Sequence, residues 1–264
     1  MKIVFCIAGF YRPAGMEKVL AIKANWLVGH GHSVTIVTTE QKGRDAAFPL
    51  ADGVELTDLG IGYEDNNGSP LIKKLMSYPL MQRLHKKRLA VVLRDLSPDV
   101  TVSLFDHEAS ILPSIPEGGK KVLETHFSRF KRLQYGRKGL WRIMDRIRSM
   151  ADERTASRYE CLVTLTEADK KLWKNVRRIF VIPNPLEGMP SAPSALERKT
   201  VLAAGRLCYQ KGFDRLLEAW RLIGPEKEGW TLEIAGDGED REVLEALASE
   251  DVKFLGNVKD MDAR

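Results

Sequence analysis

Two cations flank one turn, Arg206 and Lys211, in Gly205-Arg206-Leu207-Cys208-Tyr209-Gln210-Lys211-Gly212-Phe213-Asp214. An arginine offers a two-pronged donor that matches phosphate oxygens, and a lysine offers a compact point charge. The apolar run from Thr200 to Ala204 reads as a short buried strand, and Phe213 to Leu222 reads as an amphipathic helix. Strand-to-helix turns at the carboxyl edge of a parallel sheet are where α/β folds hold phosphates. Gly205 and Gly212 allow a sharp turn or a close backbone approach. Cations at a helix start oppose the helix dipole, which favours an anion beside them. The alternative is a pair of solvated charges on an exposed turn. A second candidate is His126, which stands where the strand Lys120 to Thr125 ends. Reactive side chains in α/β sheets sit at such exits; the alternative is a loop histidine bonded to a carbonyl.

The segment Gly-Arg-Leu…Gln-Lys-Gly-Phe-Asp, followed by Leu216, Leu217, Glu218 and Ala219, resembles the nucleotide-sugar segment of the retaining GT-B glycosyltransferases of family 4, the glycosyl transferases group 1. The resemblance implies an α/β GT-B fold with two Rossmann-like, doubly wound parallel-sheet domains. It implies that Arg206 and Lys211 hold the diphosphate of a sugar donor. Gly15-Met16-Glu17-Lys18 resembles the family's opening, where a glycine pair abuts the donor phosphates or the acceptor. Here the first of the pair is Ala14, so Gly15 alone keeps that role, with Glu17 on the acceptor side. Glu124-Thr125-His126-Phe127 matches the strand end whose histidine approaches the transferred sugar, which makes His126 the catalytic candidate, orienting the sugar rather than acting as a strong base. His107, in Phe105-Asp106-His107-Glu108, which reads as the start of the next helix, is a candidate for acceptor contact. Gly236-Asp237-Gly238-Glu239 resembles the Gly-x-Gly near the donor, and Val252-Lys253-Phe254-Leu255-Gly256 resembles the strand whose backbone at Phe254 and Leu255 reads the base.

The implied activity is transfer of a hexose or N-acetylhexosamine from a nucleotide sugar, UDP favoured, to a lipid-linked or polysaccharide acceptor with retention. No Asp-x-Asp stands at a strand end, and the resemblance implies no metal and no cofactor beyond the co-substrate. A family member continues beyond residue 264 into a Glu-x7-Glu pair. Glu218 with Glu226 and Glu242 with Glu250 have that spacing but precede the base-reading strand. The second domain is therefore expected to be truncated, and the chain alone weakly active or inactive. The alternative is a fragment that binds nucleotide or acceptor without turnover.

Positioning these residues requires alternating strands and helices. Lys2 to Ala8 is a continuous apolar run, Met16 to Val28 has helical spacing, and Ser33 to Thr38 is β-branched, together a βαβ unit. Further strands are expected at Val54 to Leu59, Asp99 to Leu104, Cys161 to Leu165 and Arg177 to Ile182, with a polar loop from Gly60 to Ser69 and a helix from Ile72 to Leu96. The expected division is an acceptor-side domain at 1–186, a Pro- and Ser-rich linker at 187–198, and a nucleotide-sugar domain at 199–264.

The 264 residues carry a net charge of +5, concentrated in a block from Arg129 to Arg158 that also has apolar helical spacing. Such a cationic face suits anionic membrane lipid; a solvated helix face is the alternative. Cys6, Cys161 and Cys208 are odd in number and far apart, which fits a reducing compartment rather than disulfides or zinc. His30, His32 and His85 read as surface residues. The expected location is the cytoplasm, with the inner membrane face as a docking place. A dehydrogenase reading fails because no Gly-x-Gly-x-x-Gly follows the first strand. A nucleic-acid reading lacks any reader motif, and no nucleic-acid partner is expected.

Overall fold

The computed structural model describes residues 1–66, 68, 70–133, 139–186 and 196–258. The chain divides into two compact units, Met1–Glu187 and Gly188–Arg264. Most of the expected linker lies outside the described residues.

The first unit holds seven parallel strands: β1 (Lys2–Ile7), β2 (Ser33–Thr38), β3 (Val54–Asp58), β4 (Val100–Ser103), β5 (Lys120–Glu124), β6 (Cys161–Thr164) and β7 (Ile179–Val181). Their order is β3-β2-β1-β4-β5-β6-β7. The chain winds outward from β1 in both directions, so the carboxyl ends of β1 and β4 flank the crevice where such sheets take ligands. Successive side chains of β1 go to opposite faces. Val4 and Cys6 join one core with Leu89 and Leu93 of helix α2 (Leu71–Leu96), whereas Phe5 and Ile7 join another with Leu20, Ala21 and Ala24 of α1 (Gly15–Gly29). A strand buried on both faces has to be apolar throughout, and that is the run seen in the sequence.

The second unit places β8 (Thr200–Ala204), β9 (Thr231–Ala235) and β10 (Val252–Gly256) in the parallel order β10-β9-β8. Phe213, Leu217 and Trp220 of α5 (Phe213–Leu222) share one face at helical spacing and meet Leu232 and Ile234 of β9, with Leu244 of the short helix Arg241–Leu247. The α/β class and the doubly wound parallel sheet are as expected.

Three local expectations change. His85 is buried on α2, its Nδ1 3.1 Å from the Tyr63 hydroxyl. Burial, with the nearby His107, pushes its pKa down to about 4. The polar stretch from Gly60 includes a 3-10 turn at Tyr63–Asn66, held because Tyr63 is buried. His107 opens a short 3-10 turn, His107–Ser110, rather than a helix.

The basic block from Arg129 to Arg158 is also rearranged. Arg129 is buried, with Nη1 2.6 Å from Ser149 Oγ and Nη2 2.9 Å from Glu153. Arg132 grips Asp152 through Nε and Nη2, at 2.5 and 2.9 Å. Arg137 and Lys138 lie outside the described residues. Helix α3 (Leu140–Ala156) buries Asp145, Ser149, Asp152 and Ala156. Its solvent face carries Leu140, Ile143, Met144, Ile147 and Met150, all exposed. At 100° per residue these five fall opposite the buried face. Arg129 and Arg132 therefore serve the interior as partners for a polar helix face, and the cations left outside on α3 are Arg142, Arg146, Arg148 and Arg154. A short helix, α4 (Glu167–Lys170), is capped by Thr166, whose hydroxyl accepts from Asp169 N at 3.1 Å.

Candidate functional site

The turn after β8 is fastened to the turn after β9. Gly205 N donates to Ala235 O at 2.9 Å, Leu207 N to Asp237 O at 3.0 Å, and Asp240 N to Leu207 O at 3.1 Å. Leu207 and Cys208 are buried between the two cations and anchor the turn from below. A Cβ on Gly236, whose φ is +135°, would stand 2.0 Å from Gly205 O, and one on Gly238 would stand 2.2 Å from Leu207 O. Both positions require glycine because two turns pass backbone against backbone.

Above this floor Arg206 and Lys211 are exposed. Among the described residues neither is paired with a carboxylate. The Lys211 stem folds back over Gly205, its Cδ 3.8 Å from where a Cβ would be. Gly212 then takes φ +67° and starts α5 without a side-chain cap. Two uncommitted cations beside uncapped helix amides form a place for an anion. Gly236 N reaches Gly256 O at 2.7 Å, drawing the end of β10 to the same edge. Phe254 pairs with Ile234 and packs on the core, and Leu255 lies where the ladder shifts register.

In the first unit, Gly15 is exposed at the start of α1, with nothing within 4 Å of a would-be Cβ and no side-chain cap from Ala14. Glu17, one turn in, is buried, and its carboxyl is raised by that burial and by Asp106, against the opposing pull of Arg12 and His126. His126 Nε2 lies 2.9 Å from Glu124 Oε1, and Lys23 Nζ reaches the same carboxylate at 2.5 Å. Burial alone would raise Glu124, but its bonds to His126 and Lys23 hold it below the usual range. His126 Nδ1 is buried without a hydrogen-bond partner. One ring nitrogen is thus bonded to Glu124 and the other left without a protein partner, so the ring is held in place.

At the carboxyl ends of β1, β2 and β4 a cavity of ≈ 370 Å³ opens. His107 stacks on Tyr63 with ring centroids 3.9 Å apart. Tyr78, Glu40, Glu64 and Asp106 complete the wall. Of these, only His107 was singled out by sequence reasoning. The signal for Asp106 and Glu40 was their place just past strand ends; nothing in the sequence marks Tyr63 or Tyr78.

The profile of the glycosyl transferases group 1 family matches residues 198–264. The chain carries a glycosyl transferases group 1 domain. That domain contains Arg206, Lys211, Gly236, Gly238, Phe254 and Leu255, and Gly15, Glu17, His107 and His126 lie outside the matched residues. Over 98% of its length the chain is 28% identical to an uncharacterized glycosyltransferase of Haemophilus influenzae, spanning 70% of that protein. It is 37% identical to the amylovoran biosynthesis glycosyltransferase AmsD of Erwinia amylovora over 99 residues, 33% of this chain and 28% of that one. The fold is that of TarM, with a TM-score of 0.73 at 11% identity over 99% of this chain and 78% of TarM. A TarM variant has been solved with UDP and α-GlcNAc-glycerol. The group 1 domain carries the Arg206–Lys211 turn, and the first unit carries the aromatic, acidic cavity.

Proposed function

We propose that this chain acts in sugar transfer from a nucleoside diphosphate sugar, UDP favoured, to a hydroxyl of a polysaccharide or lipid-linked acceptor, with retention at the transferred carbon. The observation that carries the reading is the pair Arg206 and Lys211, exposed, without a carboxylate partner among the described residues and seated on a glycine-floored turn at the start of α5. Breaking the sugar–phosphate bond leaves negative charge on the diphosphate, and fixed cations aimed at that charge lower the barrier without reorganising. Gly15, with open space over an uncapped helix start, is the first unit's own candidate for a ligand contact. His126, its ring fixed by Glu124, would orient the sugar through Nδ1, the ring nitrogen with no protein partner. The proposal gives the diphosphate's charge to these cations rather than to a divalent ion, so EDTA should leave the rate unchanged; a rate restored only by added metal would remove that part.

The test is a turnover assay with UDP-sugars, paired with UDP thermal shifts. Arg206→Ala and Lys211→Ala should each lower kcat/KM by about 10²–10³, with melting temperature unchanged because both side chains are exposed. UDP shifts of equal size in both variants and the parent would overturn the assignment. Binding without turnover would support the second reading, a nucleotide-binding chain that is not itself an active transferase.

The proposed acceptor side includes a lipid surface. The support is the outward apolar stripe of α3, edged by Arg142, Arg146 and Arg148, with its carboxylates Asp145 and Asp152 turned inward. A bilayer interface accepts such a stripe, and each arginine near an anionic surface contributes about 1 kcal/mol. A second copy of the chain would instead bring like charges together. Anionic vesicles should sediment the protein and neutral ones should not, with Ile147→Glu abolishing the difference. Equal pull-down by both vesicle types would exclude lipid docking.

A further inference from the structure

The cavity in the first unit has a chemistry that constrains its occupant. It is bounded by one aromatic wall, Tyr63, His107 and Tyr78, and by three carboxylates, Glu40, Glu64 and Asp106. Among the described residues the cations beside them are engaged, Arg44 with its guanidinium 3.5 Å over the Tyr11 ring and its Nη2 3.4 Å from Glu40 O. Arg12 Nη2 lies 2.7 Å from Glu64, whose other contact is the Tyr11 hydroxyl. Lys42 is bound to Asp65 and stands 3.9 Å from Glu40 Oε2. Arg132 is taken by Asp152, and Lys131 lies over the Phe127 ring at 3.0 Å. Glu40 is the telling member. Its side chain is 2% exposed, its Oε1 accepts from Tyr63 N at 2.5 Å, and its Oε2 has no hydrogen-bond donor at all. A buried acceptor left unmatched is unfavourable, so the site is built for a ligand that donates hydrogen bonds. The negative field is visible in a neighbour: burial first, then the charge of Asp106, raises the hydroxyl of Tyr78.

We propose that this cavity is a saccharide subsite that selects an uncharged or ammonium-bearing sugar ring and rejects one carrying phosphate or carboxylate. The hydroxyls or amine of the ring donate to Glu40 and Asp106, and its apolar face lies on the Tyr78 and His107 side of the aromatic wall. Carbon–hydrogen faces of sugars and aromatic rings are both partly apolar, and carboxylates are acceptors only, so the two walls match the two kinds of surface a pyranose presents. An anionic sugar would meet three carboxylates, and like charges so placed are strongly disfavoured. The inference rests on the reading of the first unit as the acceptor side, and it narrows that acceptor by charge.

Saturation-transfer NMR on the full chain, without any donor present, compares methyl glucoside, glucosamine in slightly acid buffer, and glucose 6-phosphate. Glucosamine and methyl glucoside should bind, and glucose 6-phosphate should bind at least about tenfold more weakly. Tyr78→Ala, at an exposed position, should weaken the binding of both ligands by about two- to tenfold. Asp106→Asn should weaken glucosamine more than methyl glucoside. The proposal is overturned if glucose 6-phosphate binds as well as the others, if folded Tyr78→Ala binds them unchanged, or if no sugar binds. Because no nucleotide is present, failure of UDP to bind would sink the donor assignment and leave this one standing.

Discussion

At the residue scale, the buried carboxyl of Glu108 sets a pH dependence. It accepts from Ser103 Oγ at 2.6 Å and from Asp106 N at 3.2 Å, deep in the first unit. Burial, reinforced by the charge of Asp106, raises its pKa from 4.5 to about 8. Between those values the folded chain holds a proton that the unfolded chain has lost. Stability therefore falls as pH rises through that window, by up to about 1.4 kcal/mol per pH unit. His85 works in the opposite sense: it stays neutral when folded down to about pH 4, so stability rises with pH from about 4 to 6.5. Glu108→Gln keeps an acceptor for Ser103 and removes the titration. Its urea midpoint should change less between about pH 5 and pH 8 than the parent's, with the larger gain at the alkaline end. Equal pH slopes in parent and variant would show that Glu108 is not held protonated. Neither group was visible in the sequence as a buried one. Leu84-His85-Lys86-Lys87 reads as a charged helix surface, and only the packing of α2 against Tyr63 shows that one residue in four there faces inward. Arg206 and Lys211 were legible for the opposite reason, since their types and their place at a strand-to-helix turn already carry the chemistry.

At the element scale, three glycines that look alike in sequence separate into two kinds. Gly236→Ala and Gly238→Ala each push a methyl group to about 2 Å from a carbonyl oxygen of the Arg206 turn. The β8 and β9 turns would have to part, and a loss on the order of 2–4 kcal/mol is expected for each, measured by denaturation. Gly15→Ala meets nothing within 4 Å and should stabilise α1 by about 0.4–1 kcal/mol through the unfolded chain. If Gly15→Ala melts higher yet loses turnover, the space above Gly15 is a ligand's; full activity would return Gly15 to the role of a simple helix start. Strands β1 and β2 were legible because burial on both faces leaves an unbroken apolar run. The orientation of α3 was not. Its periodicity shows an apolar face and a polar one, but not which of them meets the core. That was decided by Arg129 and Arg132, which come from outside the helix and give Ser149 and Asp152 their interior partners.

At the scale of the whole molecule, the two units have separate cores. Seventeen- and ten-residue clusters fill the first, and a seven-residue cluster that includes Trp220 fills the second. No residue belongs to both units' cores, so the units are expected to unfold in separate steps, the second one first because small cores leave the thinner margin. Each unit has its own reporter: Trp173 is buried in the first and Trp220 in the second, whereas Trp26, Trp141 and Trp230 are exposed. With the exposed tryptophans changed to Phe, fluorescence of chains keeping only Trp173 or only Trp220 should give two distinct midpoints. UDP at about 100 times its Kd should add about 2.7 kcal/mol to whatever unit holds it, a rise of several degrees per kcal/mol for so small a domain. If Arg206 and Lys211 hold the diphosphate within the second unit, the Trp220 midpoint rises and Arg206→Ala cancels the rise, while the Trp173 midpoint stays in place. Coincident midpoints would show the units to be one cooperative body. A rise confined to Trp173 would move the nucleotide to the first unit, and the turn after β8 would lose its proposed role.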